Sequence, residues 1–383
     1  MNSIELFSGA GGLAKGLELA GAEHCVFVEW NADACNTLRL NFESDKVFEG
    51  DVRNFKFSDY SDVDIIAGGP PCQPFSIGGK AQGYEDQRDM FPAAISAIRA
   101  LRPKAFIFEN VKGLLRPSFA EYFNFILLQL QYPDIELASN NWRENLNTLI
   151  SSTKDKSKHP IYKVTYQLVN AADYGVPQIR ERVIIVGFRS DLSIHWTFPR
   201  PTHSKDALLW SMFVTGDYWR KHGIRNYFPK EVSDTRMSVL LQKYGMFQPT
   251  MKPWNTVRDA IGDLGEPNNQ GDHILRKGAK EYHGHTGSCI DEPSKTIKAG
   301  GHGVPGGENM VKFPDGHVRY YSVAEAKRIQ TFPDEYKVTG SWTEAMRQLG
   351  NAVPVKLANR IAESVITSLN GSYIRLNSAT LGL

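Results

Sequence analysis

IELFSGAGGL, residues 4–13, comes at the very start of the chain and sets the reading of everything after it. Residues 4–7 form a short apolar run of the kind that makes a buried strand. Glycines follow at once, and apolar residues then recur at helical spacing over 12–21. Glycine at such a turn lets the backbone approach a ligand closely, and the helix N-terminus offers free N–H groups. Gly9-x-Gly11-x-x-Ala14 is a loose match to the dinucleotide fingerprint. Glu29 stands twenty residues after Gly9, at the end of the next strand, where an acid binds ribose hydroxyls. A nicotinamide dehydrogenase and a bare strand–helix turn are both open readings at this point.

Outward from the turn the pattern repeats. CVFV (25–28), VDIIA (63–67) and AFIF (105–108) read as buried strands, and 31–42 and 89–102 carry helical spacing. This alternation predicts a mainly parallel sheet with helices on both faces, an α/β fold of the Rossmann type. Two further strands, 162–169 and 183–188, follow a polar stretch over 151–160 that reads as a surface loop. Near Pro199 the texture changes to scattered Trp, Gly, Pro and His with weak periodicity. Helical patterning returns at 323–330 and 355–369. We therefore expect a first domain over 1–199, a smaller loop-rich domain over 200–317, and a segment 318–383 that returns to the first.

With 383 residues, 41% hydrophobic and 22% charged, the chain is long enough for two cores. No apolar run reaches about 18 residues, so no membrane span is expected, and the first residues carry no signal-peptide pattern. The expected location is the cytoplasm. The cysteines Cys25, Cys35, Cys72 and Cys289 have no paired spacing and should be reduced. Cys25 and Cys35 fall in apolar and helical patterns and read as small buried fillers. Net charge is only +2, but 1–60 holds ten acids against five bases, whereas 201–320 holds sixteen bases, thirteen acids and seven of the ten histidines. That basic excess suits a nucleic-acid surface and equally suits a solvated face.

Further residues sharpen the first turn. Trp30, next to Glu29, is placed to lie on an adenine ring, or else is a core aromatic. Asp51 ends a third strand-like stretch and either binds an adenine amino group or caps the next turn. The acidic surroundings suit a cationic sulfonium cofactor better than a diphosphate. A second motif, GGPPCQPFS (68–76), follows the strand VDIIA. Prolines on both sides fix Cys72 at the strand end where open α/β sheets bind ligands. Its thiol, with an ordinary pKa near 8.5, needs help to react as thiolate. Glu109 follows AFIF at the same sheet edge, so nucleophile and acid stand on neighbouring strand ends. Arg180 and Arg182 in QIRER (178–182) alternate on one face of an extended segment, and their forks suit carbonyl oxygens and phosphates.

IELFSGAGGL, the VEW at 28–30, the GDV at 50–52, GGPPCQPFS, ENV (109–111), QIRER and GNAVP (350–354) together resemble the DNA 5-cytosine methyltransferase family of the bacterial and phage restriction–modification type. The strings occur in the family's order over most of 1–190 and 318–365, and they take most of the weight from the dehydrogenase. The resemblance implies a class I S-adenosylmethionine-dependent methyltransferase fold with S-adenosyl-L-methionine as cofactor. By that likeness Phe7, Gly9, Gly11, Leu13 and Pro71 shape the cofactor pocket, Glu29 binds ribose, Trp30 stacks on adenine and Asp51 binds its edge. Asn351 and Val353 close the site. Cys72 attacks carbon 6 of a flipped-out cytosine, Glu109 shares a proton with nitrogen 3, Arg182 holds O2, and Arg180 stands beside the cysteine.

The same resemblance makes 200–317 a target-recognition domain, with Thr296 and Ile297 in EPSKTIKAGGHG (292–303) as its recognition element and the glycines between 300 and 307 as a DNA-entering loop or a flexible connector. One departure is Gly78, where some members carry a serine. His283, His285 and Cys289 are too few and too irregular for a zinc site, so no metal is expected. The expected partner is double-stranded DNA, with a cognate restriction endonuclease as genetic partner, and the expected state is a monomer. A transfer-RNA-methylating relative and a catalytically silent DNA-binding relative are the alternatives. The length of the recognition segment argues against the first, and the intact Cys72, Glu109 and Arg182 set against the second.

Overall fold

The computed structural model describes residues 1–71, 89–139, 141–154, 159–283, 285–299 and 309–380. By internal contacts the chain divides into two compact units. The first is 1–169, 181–199 and 358–383; the second is 170–180 and 200–357. The division differs from the expected one at two places. The segment 318–357 groups with the second unit, so the return to the first begins at Ala358, and residues 170–180 also leave the first unit.

In the first unit, seven strands form one sheet: β1 (Asn2–Leu6), β2 (Glu23–Glu29), β3 (Val47–Glu49), β4 (Ile65–Gly68), β5 (Ala105–Val111), β6 (Tyr162–Asn170) and β7 (Glu181–Arg189). Their order is β3-β2-β1-β4-β5-β7-β6. The pairs β1–β2, β1–β4, β2–β3 and β4–β5 are parallel, and β7 runs antiparallel to β5. Central strands read as unbroken apolar runs because both sheet faces are covered: Ile4, Leu6, Ile65, Ile66, Phe106 and Phe108 are all fully buried. Five helices follow the early strands: α1 (Gly12–Leu19), α2 (Ala32–Asn41), α3 (Phe91–Leu101), α4 (Ala120–Gln131) and α5 (Trp142–Thr153). Because β1, β2, β4 and β5 are parallel, their carboxyl ends lie along one edge. That edge carries the turn after β1, Glu29, the 68–71 loop and Glu109.

The second unit contains β8 (His203–Ser204), α6 (Lys205–Phe213), α7 (Asp217–His222), α8 (Lys230–Tyr244), β9 (Lys252–Pro253), α9 (Val257–Ile261), β10 (Ser288–Cys289), β11 (Met310–Lys312), β12 (Val318–Tyr320), α10 (Val323–Ile329) and α11 (Trp342–Asn351). α12 (Val355–Thr380) starts in this unit and continues into the first. A core of Leu208, Met212, Phe213, Tyr218 and Trp219, with Met237 packed against it, holds α6, α7 and α8 together. Among the described residues no helix is long and apolar enough to cross a membrane.

Candidate active site

The turn after β1 is built by left-handed backbone. Gly9 and Gly11 have φ of 53° and 77°, and Phe7, which pays a steric cost there as a residue with a Cβ, has φ of 54°. Such a strained position costs about 1–3 kcal/mol and is held by its surroundings. Here the surroundings include Glu29. Its carboxylate is buried (7% exposed) at the end of β2 and accepts backbone N–H bonds from Gly9 at 2.8 Å, Trp30 at 3.0 Å and Asn31 at 2.9 Å. Among the described residues no cation neutralises it. A carboxylate oxygen has room for a second donor, so Oε2, which among the described residues takes the Gly9 N–H alone, keeps capacity for a sugar hydroxyl.

Trp30 is 80% exposed, which removes the core-aromatic reading. Its indole stands free beside Glu29 for a flat ligand. Asp51 behaves differently. Its side chain caps the short turn Val52–Asn54, accepting from the Arg53 N–H at 2.9 Å, and it also pairs with the Arg53 guanidinium. That side-chain bond, with the backbone bond, holds the Asp51 carboxyl below its ordinary range. The structure thus realises the capping alternative at Asp51. Leu13 is half-buried on α1, and Pro71 is exposed. The buried carboxylate, the glycine turn and the exposed indole on one sheet edge suit a nucleoside with a cationic tail, and S-adenosylmethionine fits that description.

At the next strand ends the chemistry changes. Glu109 lies opposite Ile184 and Val111 opposite Arg182 in the β5–β7 ladder. Residues two apart share a face, so Arg182 is the diagonal neighbour of Glu109. Arg182 Nε is 2.6 Å from Glu109 Oε1, with the two side chains only 13% and 10% exposed. The pair is a close ion contact whose angles do not make an aligned hydrogen bond, and neither atom has another partner among the described residues. The second carboxylate oxygen, Oε2, faces the Gly69 backbone, since a Cβ built on Gly69 would stand 3.4 Å from it. Glu109 therefore borders the loop that leads directly to Cys72. Cys72 itself, with Gly78 and the rest of 72–88, lies outside the described residues.

Asn110, the middle residue of ENV, has a role that the sequence does not show. Its buried side chain donates to the Pro70 carbonyl at 3.0 Å, and Met90 N–H donates to the Pro71 carbonyl at 3.1 Å. Asp89 accepts from the Phe91 N–H at 3.2 Å and from the Tyr122 hydroxyl. These bonds fix the residues on either side of 72–88. Two other cysteines are inert by environment. Burial, then nearby Glu29, pushes the Cys35 thiol up to about 12, and burial also raises Cys25.

The second unit gathers the remaining motif residues around a buried polar hub. Arg180 is 1% exposed, and its guanidinium donates to the carbonyls of Ile297 (3.4 Å), Gly350 (2.8 Å) and Ala352 (3.0 Å). Gln178 accepts the Ile297 N–H at 3.1 Å and donates to Gln330 at 3.2 Å; Gln330 in turn donates to the Leu349 and Ala352 carbonyls. Gln178, Arg180 and Gln330 thus join QIRER, the Thr-Ile element and GNAVP. The expected common face of Arg180 and Arg182 does not give them common partners. Ile297 is fully buried, and Thr296 donates its hydroxyl to the Ile179 carbonyl at 2.8 Å. The side chain of Ile297 is therefore core, which leaves it no direct contact with a partner. Asn351 is exposed at the end of α11, and Val353 is buried. Residues 300–308 lie outside the described residues.

The chain belongs to the C-5 cytosine-specific DNA methylase family, whose model matches residues 1–133 and 135–367, and it is a DNA cytosine-5 methyltransferase using S-adenosylmethionine. The type II methyltransferase M.NgoMIV of Neisseria gonorrhoeae is 31% identical over 370 residues, covering 96% of this chain and 97% of that protein. The type II methyltransferase M.Eco47II of Escherichia coli is 32% identical over 382 residues, covering 96% of this chain and 79% of its own length. The solved Dnmt2 methyltransferase of S. pombe matches with a TM-score of 0.54 at 15% identity, over 97% of this chain and 99% of that one. That match shows the class I methyltransferase fold.

Proposed function

We propose that the chain is the sequence-specific modification enzyme of a restriction–modification system, acting on double-stranded DNA in the cytoplasm as a monomer, with a cognate endonuclease as genetic partner. Type II methyltransferases matched over 96% of this chain support this reading. The observation that carries the residue assignment is the buried Glu109–Arg182 pair, set at a strand end beside the loop that leads to Cys72.

In this reading Cys72 adds through Sγ to carbon 6 of an extruded cytosine. Glu109 holds a proton between its carboxyl group and nitrogen 3, which keeps negative charge off the ring, and Arg182 orients O2. Arg182 also fixes the Glu109 carboxylate in one rotamer, so that the nitrogen-3 contact needs no reorganisation. Asn110 keeps the Pro70 carbonyl, and hence the start of the nucleophile loop, in place. Adduct formation makes carbon 5 nucleophilic; once carbon 5 carries the methyl group, a base removes its proton, and the electron pair re-forms the 5,6 double bond as the Cys72 thiolate leaves. S-adenosylmethionine supplies the methyl group as a sulfonium electrophile. Glu29, Trp30 and the turn Phe7–Gly9–Gly11–Leu13 hold it, with Pro71, Asn351 and Val353 as further contacts. Asp51 reaches the adenine edge only by releasing Arg53. Residues 200–317, with Thr296 and the glycine-rich run after it, carry target recognition, and Arg180 braces them.

The test is methylation of random-sequence duplex with S-adenosylmethionine, read by bisulfite sequencing. Protection of one cytosine in a short motif is expected. Protection of transfer RNA in place of duplex overturns the DNA assignment. In parallel, 5-fluorocytosine duplex should trap the wild-type chain covalently and fail to trap Cys72→Ala; a trapped Cys72→Ala chain removes Cys72 from the nucleophile's role.

A further inference from the structure

His283 and His285, too few for a zinc site, belong to a tight turn of the second unit. Tyr282 and His285 exchange both backbone bonds: the His285 N–H donates to the Tyr282 carbonyl at 2.7 Å, and the Tyr282 N–H to the His285 carbonyl at 3.2 Å. Their rings meet edge to face with centroids 5.4 Å apart. His283 stands within the turn so closed. The turn is braced on both sides. Before it, Glu281 pairs with Lys312 of β11 at 2.9 Å. After it, the Thr286 hydroxyl accepts from Lys295 Nζ at 2.9 Å. Lys295 adjoins Thr296, so the turn is tied to the Thr-Ile element. Further back, Arg276 lies over the Trp342 ring at 5.2 Å, and Asp272 pairs with Lys327 at 2.7 Å.

Between these anchors the side chains lie in solvent. Ile274, Leu275 and Tyr282 are 54%, 40% and 45% exposed, and Arg276, Lys277, Lys280 and His283 are exposed with them. Apolar and aromatic groups left together in water mark a surface that meets a partner. Charge says which partner. The stretch holds two acids, Asp272 and Glu281, and both are neutralised by lysines from outside it. Its three cations, Arg276, Lys277 and Lys280, pair with no carboxylate among the described residues. The face therefore offers three uncompensated positive charges next to a phenol and an imidazole, groups that both donate and accept hydrogen bonds. A polyanion whose base edges carry donors and acceptors complements it on both counts.

We infer that the exposed stretch 274–283, with His285, is the face of the second unit that meets duplex DNA. Lys277 and Lys280 take backbone phosphates, which position the duplex without reading it. Tyr282 and His283, carried on the braced turn, reach base edges in a groove and set the sequence that is methylated. Arg276, held over Trp342, keeps the start of the stretch in place. This inference rests on the DNA-methylating reading above and names the residues that give it specificity.

The experiment measures affinity of the full chain for duplex DNA between about 50 and 200 mM salt, and maps the methylated motif by bisulfite sequencing. Each phosphate contact contributes about 0.9 to the slope of log K against log salt, so Lys277→Gln/Lys280→Gln should lower the slope by about 1.8. Binding should weaken on every sequence, and the motif should stay the same. Lys56→Gln/Lys163→Gln, which removes two exposed lysines of the first unit, should leave the slope unchanged. An equal fall in that control assigns the effect to net charge and overturns the phosphate contacts. His283→Ala and Tyr282→Phe alter exposed groups, so the melting temperature should hold, and each should lower discrimination at one base pair of the motif by about tenfold. Unchanged discrimination in both variants overturns the reading role of the turn. An unchanged slope in Lys277→Gln/Lys280→Gln, with wild-type methylation of duplex intact, overturns the DNA face alone. A wild-type chain that methylates transfer RNA in place of duplex overturns both this inference and the reading beneath it.

Discussion

Replacing Arg182 by Met isolates what the Glu109 carboxylate needs from its surroundings. The two charges are 2.6 Å apart with side chains 13% and 10% exposed. At an effective dielectric constant of about 20 their attraction is about 6 kcal/mol. Desolvation of each ion offsets several kcal/mol of that, so the intact pair is close to neutral for stability, whereas removing one partner costs about 3–5 kcal/mol. Arg182→Met and Glu109→Gln should each destabilise the β5–β7 ladder, and the double variant, which leaves no unpaired buried charge, should lose at least about 3 kcal/mol less than the sum of the two. A chain of two units need not unfold in one step, so the cycle is best read from native-state hydrogen exchange at the amides of 107–111 and 182–186. Turnover supplies the second axis: every member of the cycle should lose the chemical step, because both side chains face the base in the proposed mechanism. Strict additivity, within about 0.5 kcal/mol, would refute the reasoning, since it would mean that the close contact carries no energetic coupling.

Three further outcomes follow from the same geometry. Trp30→Ala should weaken S-adenosylmethionine binding by about tenfold, the effect of losing one stacked base of about 1–3 kcal/mol. Its melting temperature should not change, because the indole is 80% exposed; unchanged affinity in isothermal titration would count against the stacking role. Cys35, pushed up to about 12, should resist iodoacetamide at pH 8 in the folded chain, and mass-spectrometric labelling of Cys35 at the rate of a free thiol would contradict its buried state. For His203 the sign is fixed by its lowered folded pKa. Above pH 6.5 the ring is neutral in both states; between about 6.5 and about 4 the unfolded chain binds a proton that the folded chain does not, so stability falls as pH falls through that window. His203→Asn should flatten this part of the stability–pH curve in urea titrations, and an unaltered curve would remove His203 as its source.

The first half of the chain was legible because its strands are buried on both faces. The expected helices at 31–42 and 89–102 match Ala32–Asn41 and Phe91–Leu101 within two residues, since each has an apolar side to show. α6 and α8 were not legible for opposite reasons. α6 buries Ala207, Leu208, Trp210, Met212 and Phe213 around most of its circumference, and α8 buries only Leu240. Neither presents a stripe against a polar background. Glu29 and Glu109 were readable from position alone, because a parallel sheet puts successive strand ends on one edge. Asp51 was not, because capping and ligand binding ask for the same side chain at the same place. The burial of Ile297 was equally invisible: it depends on pairing 294–297 with 178–180, a contact across more than a hundred residues that no local pattern records.

The hub of Gln178, Arg180 and Gln330 sets a rule for grafting. The proposed target-recognition segment lies between 200 and 317 in sequence, which invites a chimera cut at those ends. Such a transplant would carry the carbonyl and N–H of Ile297 but leave Gln178, Arg180, Gln330 and the 349–352 carbonyls with the recipient. Any donor whose backbone departs there by a fraction of an ångström leaves a buried guanidinium and two buried amides short of partners. Retargeting by transplant should therefore succeed when 294–299 stays native to the recipient and the junctions fall on either side of it, so that the foreign loops ride on a seam already stitched.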